Sequence, residues 1–235
     1  MGNETLIAWT DKTWNPWRGC DKVSPGCAHC YMFTQQERYG FNPAVVTRTR
    51  TWGDPRKWQQ EAVEQTRRFR VFTASWSDFF HPDADPWRHE AWLLMKQCSR
   101  LDFQVLTKRP ERIASCLPRD WRGGYPNVWL GVSVENEQFL PRVDTLRGIP
   151  AAVRFISAEP LLAPLPNLDL TDMHWLIVGG ESGNGFRPMD HAWARDLYEK
   201  ARAAGVAYFF KQSAALFTER GIALDGVGVV RTYPR

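Results

Sequence analysis

Short apolar runs, each closed by small or polar residues, recur along the chain at 6–9, 70–75, 103–107, 128–134, 153–158, 175–178 and 206–210. Near-continuous apolarity of this kind predicts strands buried on both faces, as in a parallel sheet. Between the runs lie helical patterns, clearest at 86–99, 110–116 and 191–204, with further helices predicted from residue 27 or 28 to 39 and over 58–67. Strand and helix alternating this often predicts an α/β chain of about six to seven parallel strands, as an open sheet or a full or partial (β/α) barrel.

Two stretches break the alternation. Residues 11–26 and 41–57 are rich in Trp, Pro, Gly or Arg and read as long loops, and such loops in a compact domain are usually functional. With no internal repeat, low-complexity tract or linker, the pattern predicts one domain over 1–235, its loops gathered within 11–57. The weakly patterned 213–235 is expected to wrap the sheet edge.

The polar residues cluster where the apolar runs end. Ser75-Trp76-Ser77-Asp78, Thr107-Lys108-Arg109, Ser133-Val134-Glu135-Asn136, Ser157-Ala158-Glu159-Pro160, Gly179-Gly180-Glu181-Ser182-Gly183 and Lys211-Gln212 each follow a predicted strand. Any one of them would serve as a helix cap. Successive strand ends carrying acids, bases or hydroxyls point instead to a shared ligand site, because ligands in such folds gather at the carboxyl ends of the strands.

Composition adds bounds. At 43% hydrophobic and 24% charged, 235 residues suffice for an ordinary core. No apolar run approaches the roughly 18 residues of a spanning helix, and the N-terminus lacks a signal-peptide layout, so the chain is expected to be soluble and cytoplasmic, with no membrane partner. Five cysteines without an export signal argue for reduced thiols. The net charge is only +4, yet Arg stands beside Trp at Trp17-Arg18, Trp87-Arg88 and Trp121-Arg122, a pairing suited to phosphate contact and base stacking, or equally to core packing.

The sharpest feature is Cys20-x6-Cys27-x2-Cys30, set in NPWRGCDKVSPGCAHCY. The two-residue gap lets two thiolates converge, and the Ser24-Pro25-Gly26 turn can fold Cys20 back toward them. Three thiolates suit a four-iron four-sulfur cluster with one iron left open; a structural zinc would need a fourth ligand from His29, His81, Cys98 or Cys116. Cys98 and Cys116 read more readily as core thiols, and His29 as facing solvent or a second shell.

The loop after the first strand, the three cysteines and the barrel-like alternation resemble the radical S-adenosylmethionine superfamily. The first cysteine gap is longer here than is usual there, while the second gap and the adjacent Tyr31 are kept. More narrowly, IAWTDKTWNPWRGC with SPGCAHCY, ASWSDFFHP, LTKRPER, GVSVEN, FISAEPLL and IVGGESG followed by Arg187-Pro188 resemble a phage-associated family of three-cysteine proteins known mostly as phage proteins or domains of unknown function.

The resemblance implies a radical enzyme, with Cys20, Cys27 and Cys30 holding the cluster and S-adenosylmethionine completing it. Ser75, Ser77 and Asp78 would then grip the methionyl amine, Ser133 and Glu135 the ribose, and Gly179, Gly180 and Glu181 the adenine or a phosphate. Lys108, Arg109 and Arg187 would meet substrate phosphate or carboxylate, with Lys108 and Glu159 as catalytic candidates. The loop Trp14-Asn15-Pro16-Trp17, Trp17 above all, would stack on or wedge beside a base. The implied partners are a DNA or nucleotide substrate and a reductant such as flavodoxin or ferredoxin, in the cytoplasm of the infected or host bacterial cell. The implied reaction is thymidine hypermodification in phage DNA, converting N-linked into C-linked glycinyl-thymidine. The alternatives are a radical repair lyase, a zinc-stabilised nucleic-acid-binding protein, and an inactive relative acting as a regulator.

Overall fold

The computed structural model describes residues 5–234, which fall into two compact units. The first comprises the chain up to Val23, Cys30–Leu130 and Ile149–Ala152; the second comprises Ser24–His29, Gly131–Gly148 and the chain from Val153 on.

In the first unit the chain runs β1 (Lys12–Trp14), β2 (Trp17–Arg18), α1 (Tyr31–Arg38), β3 (Thr47–Arg48), α2 (Asp54–Glu64), β4 (Phe69–Thr73), α3 (Asp85–Gln97), β5 (Leu101–Thr107) and α4 (Ile113–Cys116), then enters β6 (Val128–Ser133). Strands β1, β4 and β5 pair in parallel, with Trp14 opposite Thr73 and Thr73 opposite Val105. Helix α3 starts at an Asp-Pro pair, which supplies an acid for the positive end of the dipole and a preset φ. It buries Ala91, Trp92, Leu94 and Met95, the spacing of one helical face. Leu94 and Met95 each contribute about 1.5–3 kcal/mol when fully buried.

The second unit takes the end of β6, then α5 (Pro141–Arg147), β7 (Val153–Ala158), β8 (Trp175–Val178), α6 (His191–Ala204) and β9 (Ala207–Phe210). Strands β7, β8 and β9 pair in parallel. All residues of β6 and β8 are buried, which is why they carry no polar alternation. Helix α6 is capped at both ends: Asp190 accepts from the Ala192 N–H at 2.7 Å, and Gly205 closes the helix at φ +68°. Residues 230–232 run along β9, with the Phe210 N–H donating to the Val230 carbonyl at 2.8 Å and the Thr232 N–H to that of Tyr208 at 2.9 Å.

The strand order is β1-β4-β5 in the first unit and β7-β8-β9 in the second. The expected α/β class with parallel strands is what the chain adopts, and most runs match their strands to within two residues. The first does not. Residues 6–9 form no strand, and Leu6 is 81% exposed; the sheet instead takes Lys12–Trp14, whose Trp14 is fully buried. Local apolarity pointed to the wrong segment: Trp9 is buried too, but it is Lys12–Trp14 whose backbone pairs with β4. The pattern also passed over α5, too short to show a period, and the β2–β3 pair inside the two loops. Among the described residues no helix is long and apolar enough to cross a membrane.

Candidate functional site

In the first unit the backbone beside Cys20 is pinned to the segment after β4. The Gly19 N–H donates to the Trp76 carbonyl at 3.0 Å, and Ser77 Oγ donates to the Gly19 carbonyl at 2.5 Å. Asn15 fastens the same segment from the loop after β1: its Oδ1 accepts from the Trp76 N–H at 2.8 Å and its Nδ2 reaches Ser75 Oγ at 3.1 Å. Tyr31, next to Cys30, donates from its hydroxyl to the Ser75 carbonyl at 3.3 Å. Two of the three cysteines therefore lie beside chain tied to the β4 strand end.

Asp78 is buried and already filled. Its Oδ1 accepts from Thr107 Oγ1 at 2.7 Å and the Phe80 N–H at 2.9 Å; its Oδ2 accepts from the Lys108 N–H at 2.9 Å and lies 3.3 Å from Arg109 Nη1. That bonding makes Asp78 an anchor between the ends of β4 and β5, where a grip on an ammonium was expected. Arg109, expected at substrate phosphate, is itself buried and turned inward: Nη1 stands 3.8 Å from Cys20 Sγ and Nη2 3.9 Å from Asp21 Oδ2. Burial alone would depress its pKa, but Asp78 and then Cys20 outweigh this and raise it. His81 Nε2 meets Asp21 Oδ2 at 2.9 Å. Trp17, expected as a stacking platform, is 0% exposed, packed on Phe79 and Trp52 with its indole N–H on the Asp78 carbonyl. It presents no face to a base.

In the second unit Cys27 ends a short 3-10 turn, Pro25–Cys27, and its sulfur lies 3.7 Å from Ser24 Oγ. The Ser24 hydroxyl donates to Glu135 Oε1 at 2.6 Å. Glu135 is fully buried; Arg142 Nη1 donates to its Oε2 at 3.0 Å and to the Ser133 carbonyl at 2.9 Å. Ser133 is buried as well. Arg142, a buried cation, was not picked out from sequence because it sits in α5, which the pattern passed over.

Glu181 follows β8 and takes hydrogen bonds from the Arg187 backbone and Nε, both at 2.9 Å, and from Arg187 Nη2. His29 Nδ1 stands 3.0 Å from the same carboxylate. Burial would raise the Glu181 pKa, but the Arg187 bonds and then His29 overcome it and hold the carboxyl at about 2. Arg187 and Glu181 are thus partners, and His29, read as facing solvent or a second shell, has a carboxylate partner. Glu159 pairs with Lys211. A Cβ on Gly180 would lie 2.2 Å from the Ala214 backbone nitrogen, so the close backbone approach expected here is made by the chain itself; at Gly179 the nearest atom is Lys211 Cβ at 3.3 Å.

None of the five cysteines is in a disulfide. Among the described residues, no three His, Cys, Asp or Glu side chains are gathered as a ligand set. What the loop offers a metal is donor chemistry: three thiols, with a guanidinium facing Cys20 and a hydroxyl facing Cys27. Such a donor set fits an iron-sulfur cluster, whose sulfurs take hydrogen bonds from the surrounding chain.

The model of a family described as "Protein of unknown function (DUF5131)" matches residues 4–226. No curated protein matches the sequence. Among solved structures, a spore photoproduct lyase variant with bound AdoMet and dinucleoside spore photoproduct is similar, with a TM-score of 0.54 at 12% identity. The likeness covers 86% of this chain and 64% of that one, so this chain spans less than two thirds of that protein's length. It shows the fold alone, an α/β chain with parallel strands.

Proposed function

We propose that this chain, which belongs to the DUF5131 family, is a radical S-adenosylmethionine enzyme acting on a thymine-derived base in DNA or a nucleotide. The observation that carries the reading is the conjunction of that fold with three thiols, Cys20, Cys27 and Cys30, outside any disulfide on one loop after the first strand. Cys20, Cys27 and Cys30 would hold a four-iron four-sulfur cluster, which supplies the electron that cleaves bound S-adenosylmethionine and so generates the radical that takes hydrogen from substrate.

The chain's own residues bind, orient and exclude water. Ser75 and Ser77, their hydroxyls bonded to Asn15 and to the Gly19 carbonyl, would line the end of β4 beside the methionyl part of the cofactor. Asp78 holds the ends of β4 and β5 through Thr107, Lys108 and Arg109, and Glu135, following β6, is held by Ser24 and Arg142. Ser133, Gly179, Gly180 and Glu181 shape the remaining strand ends. Lys108 and the Glu159–Lys211 pair supply charge for substrate.

The specific reaction proposed is the conversion of N-linked into C-linked glycinyl-thymidine in phage DNA, with flavodoxin or ferredoxin as reductant. A repair lyase is the second reading, favoured by the photoproduct bound in the similar structure. Mass spectrometry of nucleosides from DNA incubated with reconstituted protein, cofactor and reductant tests both. An isomer of the glycinyl nucleoside at unchanged mass supports the first, and restored thymidine from a photoproduct supports the second. Unaltered nucleosides from both substrates would sink the two together.

A further inference from the structure

Arg109 has no exposed surface to spare for a substrate, and its contacts explain where it works. Its guanidinium is anchored on Asp78, which is itself locked by the Thr107 hydroxyl and the Phe80 and Lys108 N–H groups, so the group is held from behind and cannot swing outward. From that anchor Nη1 reaches Cys20 Sγ at 3.8 Å, within the range of an N–H to sulfur hydrogen bond. The Arg109 N–H, donating to Thr107 Oγ1 at 2.9 Å, fixes the backbone at the same point. Guanidinium stays charged under all physiological conditions, so this is a permanent positive charge beside one cysteine.

We propose that Arg109 is a positioning residue that orients Cys20 and, through its N–H and charge at that sulfur, raises the reduction potential of the cluster; this rests on the reading of Cys20 as a cluster ligand. The physical ground is differential stabilisation. A reduced cluster carries one more negative charge than the oxidised one, and a buried donor at a ligand sulfur stabilises the more negative form more strongly. Charge and hydrogen bond act in the same direction. Lys at this position would keep the charge and lose the planar guanidinium whose Nη1 meets both Asp78 and Cys20, whereas Gln would lose the charge.

The test is the midpoint potential of the anaerobically reconstituted protein, followed by electron paramagnetic resonance in a redox titration, for the unsubstituted chain, Arg109→Gln and Arg109→Lys. Iron content and circular dichroism are read alongside. Arg109→Gln is expected to load its cluster and to shift the one-electron reduction equilibrium about tenfold toward the oxidised form, the size of a charge-assisted hydrogen bond. Arg109→Lys should shift the same way by less, and it decides the matter if Arg109→Gln does not fold. A loaded cluster with an unmoved potential in the folded variant overturns the role of Arg109 alone. Failure of the unsubstituted chain to load any cluster overturns the proposed function and this inference with it.

Discussion

Gly26 lies so close to Glu135 that a Cβ at residue 26 would stand 2.5 Å from Oε1 and 2.6 Å from Cγ of that side chain. Glu135 cannot simply step aside, because it is fully buried and bound to Ser24 and Arg142. Gly26→Ala should therefore break the Ser24–Glu135 bond and displace the turn that carries Cys27, costing about 1–3 kcal/mol by overpacking. Urea unfolding measures the cost, and iron content after reconstitution measures the displacement. Full stability with full iron loading would contradict the account of this turn.

The Glu181 carboxyl, held at about 2 against its usual 4.5, links stability to pH. Its folded-state value is depressed, so its contribution is fully present above about pH 4.5 and is lost as pH falls toward 2. The contribution is on the order of 3 kcal/mol. Urea midpoints across this window should fall more steeply in the unsubstituted chain than in Glu181→Gln; parallel curves would show that the Arg187 and His29 bonds are not what holds the carboxylate.

Trp17 is core. Trp17→Ala should cost about 3–5 kcal/mol of stability, the range for large aromatic side chains removed from a core. Thermal or urea unfolding reads this directly. A variant of unchanged stability that has lost nucleic-acid binding would restore the stacking role to this ring.

Much of the fold could be read from the sequence, because strands buried on both faces advertise themselves as apolar runs, and β7 and β8 coincide with theirs. The first strand could not, since Trp9 and Trp14 look equally apolar and are both buried, and only backbone pairing with β4 decides which lies in a strand. For the site, the strand-end clustering was legible because acids and hydroxyls stand out after apolar runs. What those side chains do there was not. Asp78, Arg109, Glu135 and Glu181 carry charges that suit a ligand equally well, yet in the folded chain they are bound to one another, to backbone N–H groups or to other side chains, and the partners Thr107, Cys20, Ser24 and His29 lie far away in sequence. The linking role of Asn15 was hidden for the same reason, and that of Arg142 because the pattern passed over α5.

Asn127 shows how a single buried amide can hold a turn together. Its Nδ2 lies within hydrogen-bond range of the carbonyls of Met95, Cys98 and Leu101, at 2.9, 3.1 and 3.2 Å, joining the end of α3 to the start of β5. Asn127→Ala leaves buried carbonyls without this donor and should destabilise by about 1–3 kcal/mol. A urea midpoint unchanged from that of the unsubstituted chain would contradict this.

The central claim rests on Cys20, Cys27 and Cys30, and one measurement tests it most directly: the absorption spectrum and metal content of protein purified without oxygen, followed by assay for 5'-deoxyadenosine after adding S-adenosylmethionine and reductant. The account predicts a brown protein with about four irons per chain, a broad band near ~400 nm that is lost in Cys27→Ala, and release of 5'-deoxyadenosine. A colourless protein holding one zinc per chain, with S-adenosylmethionine left intact, would contradict it.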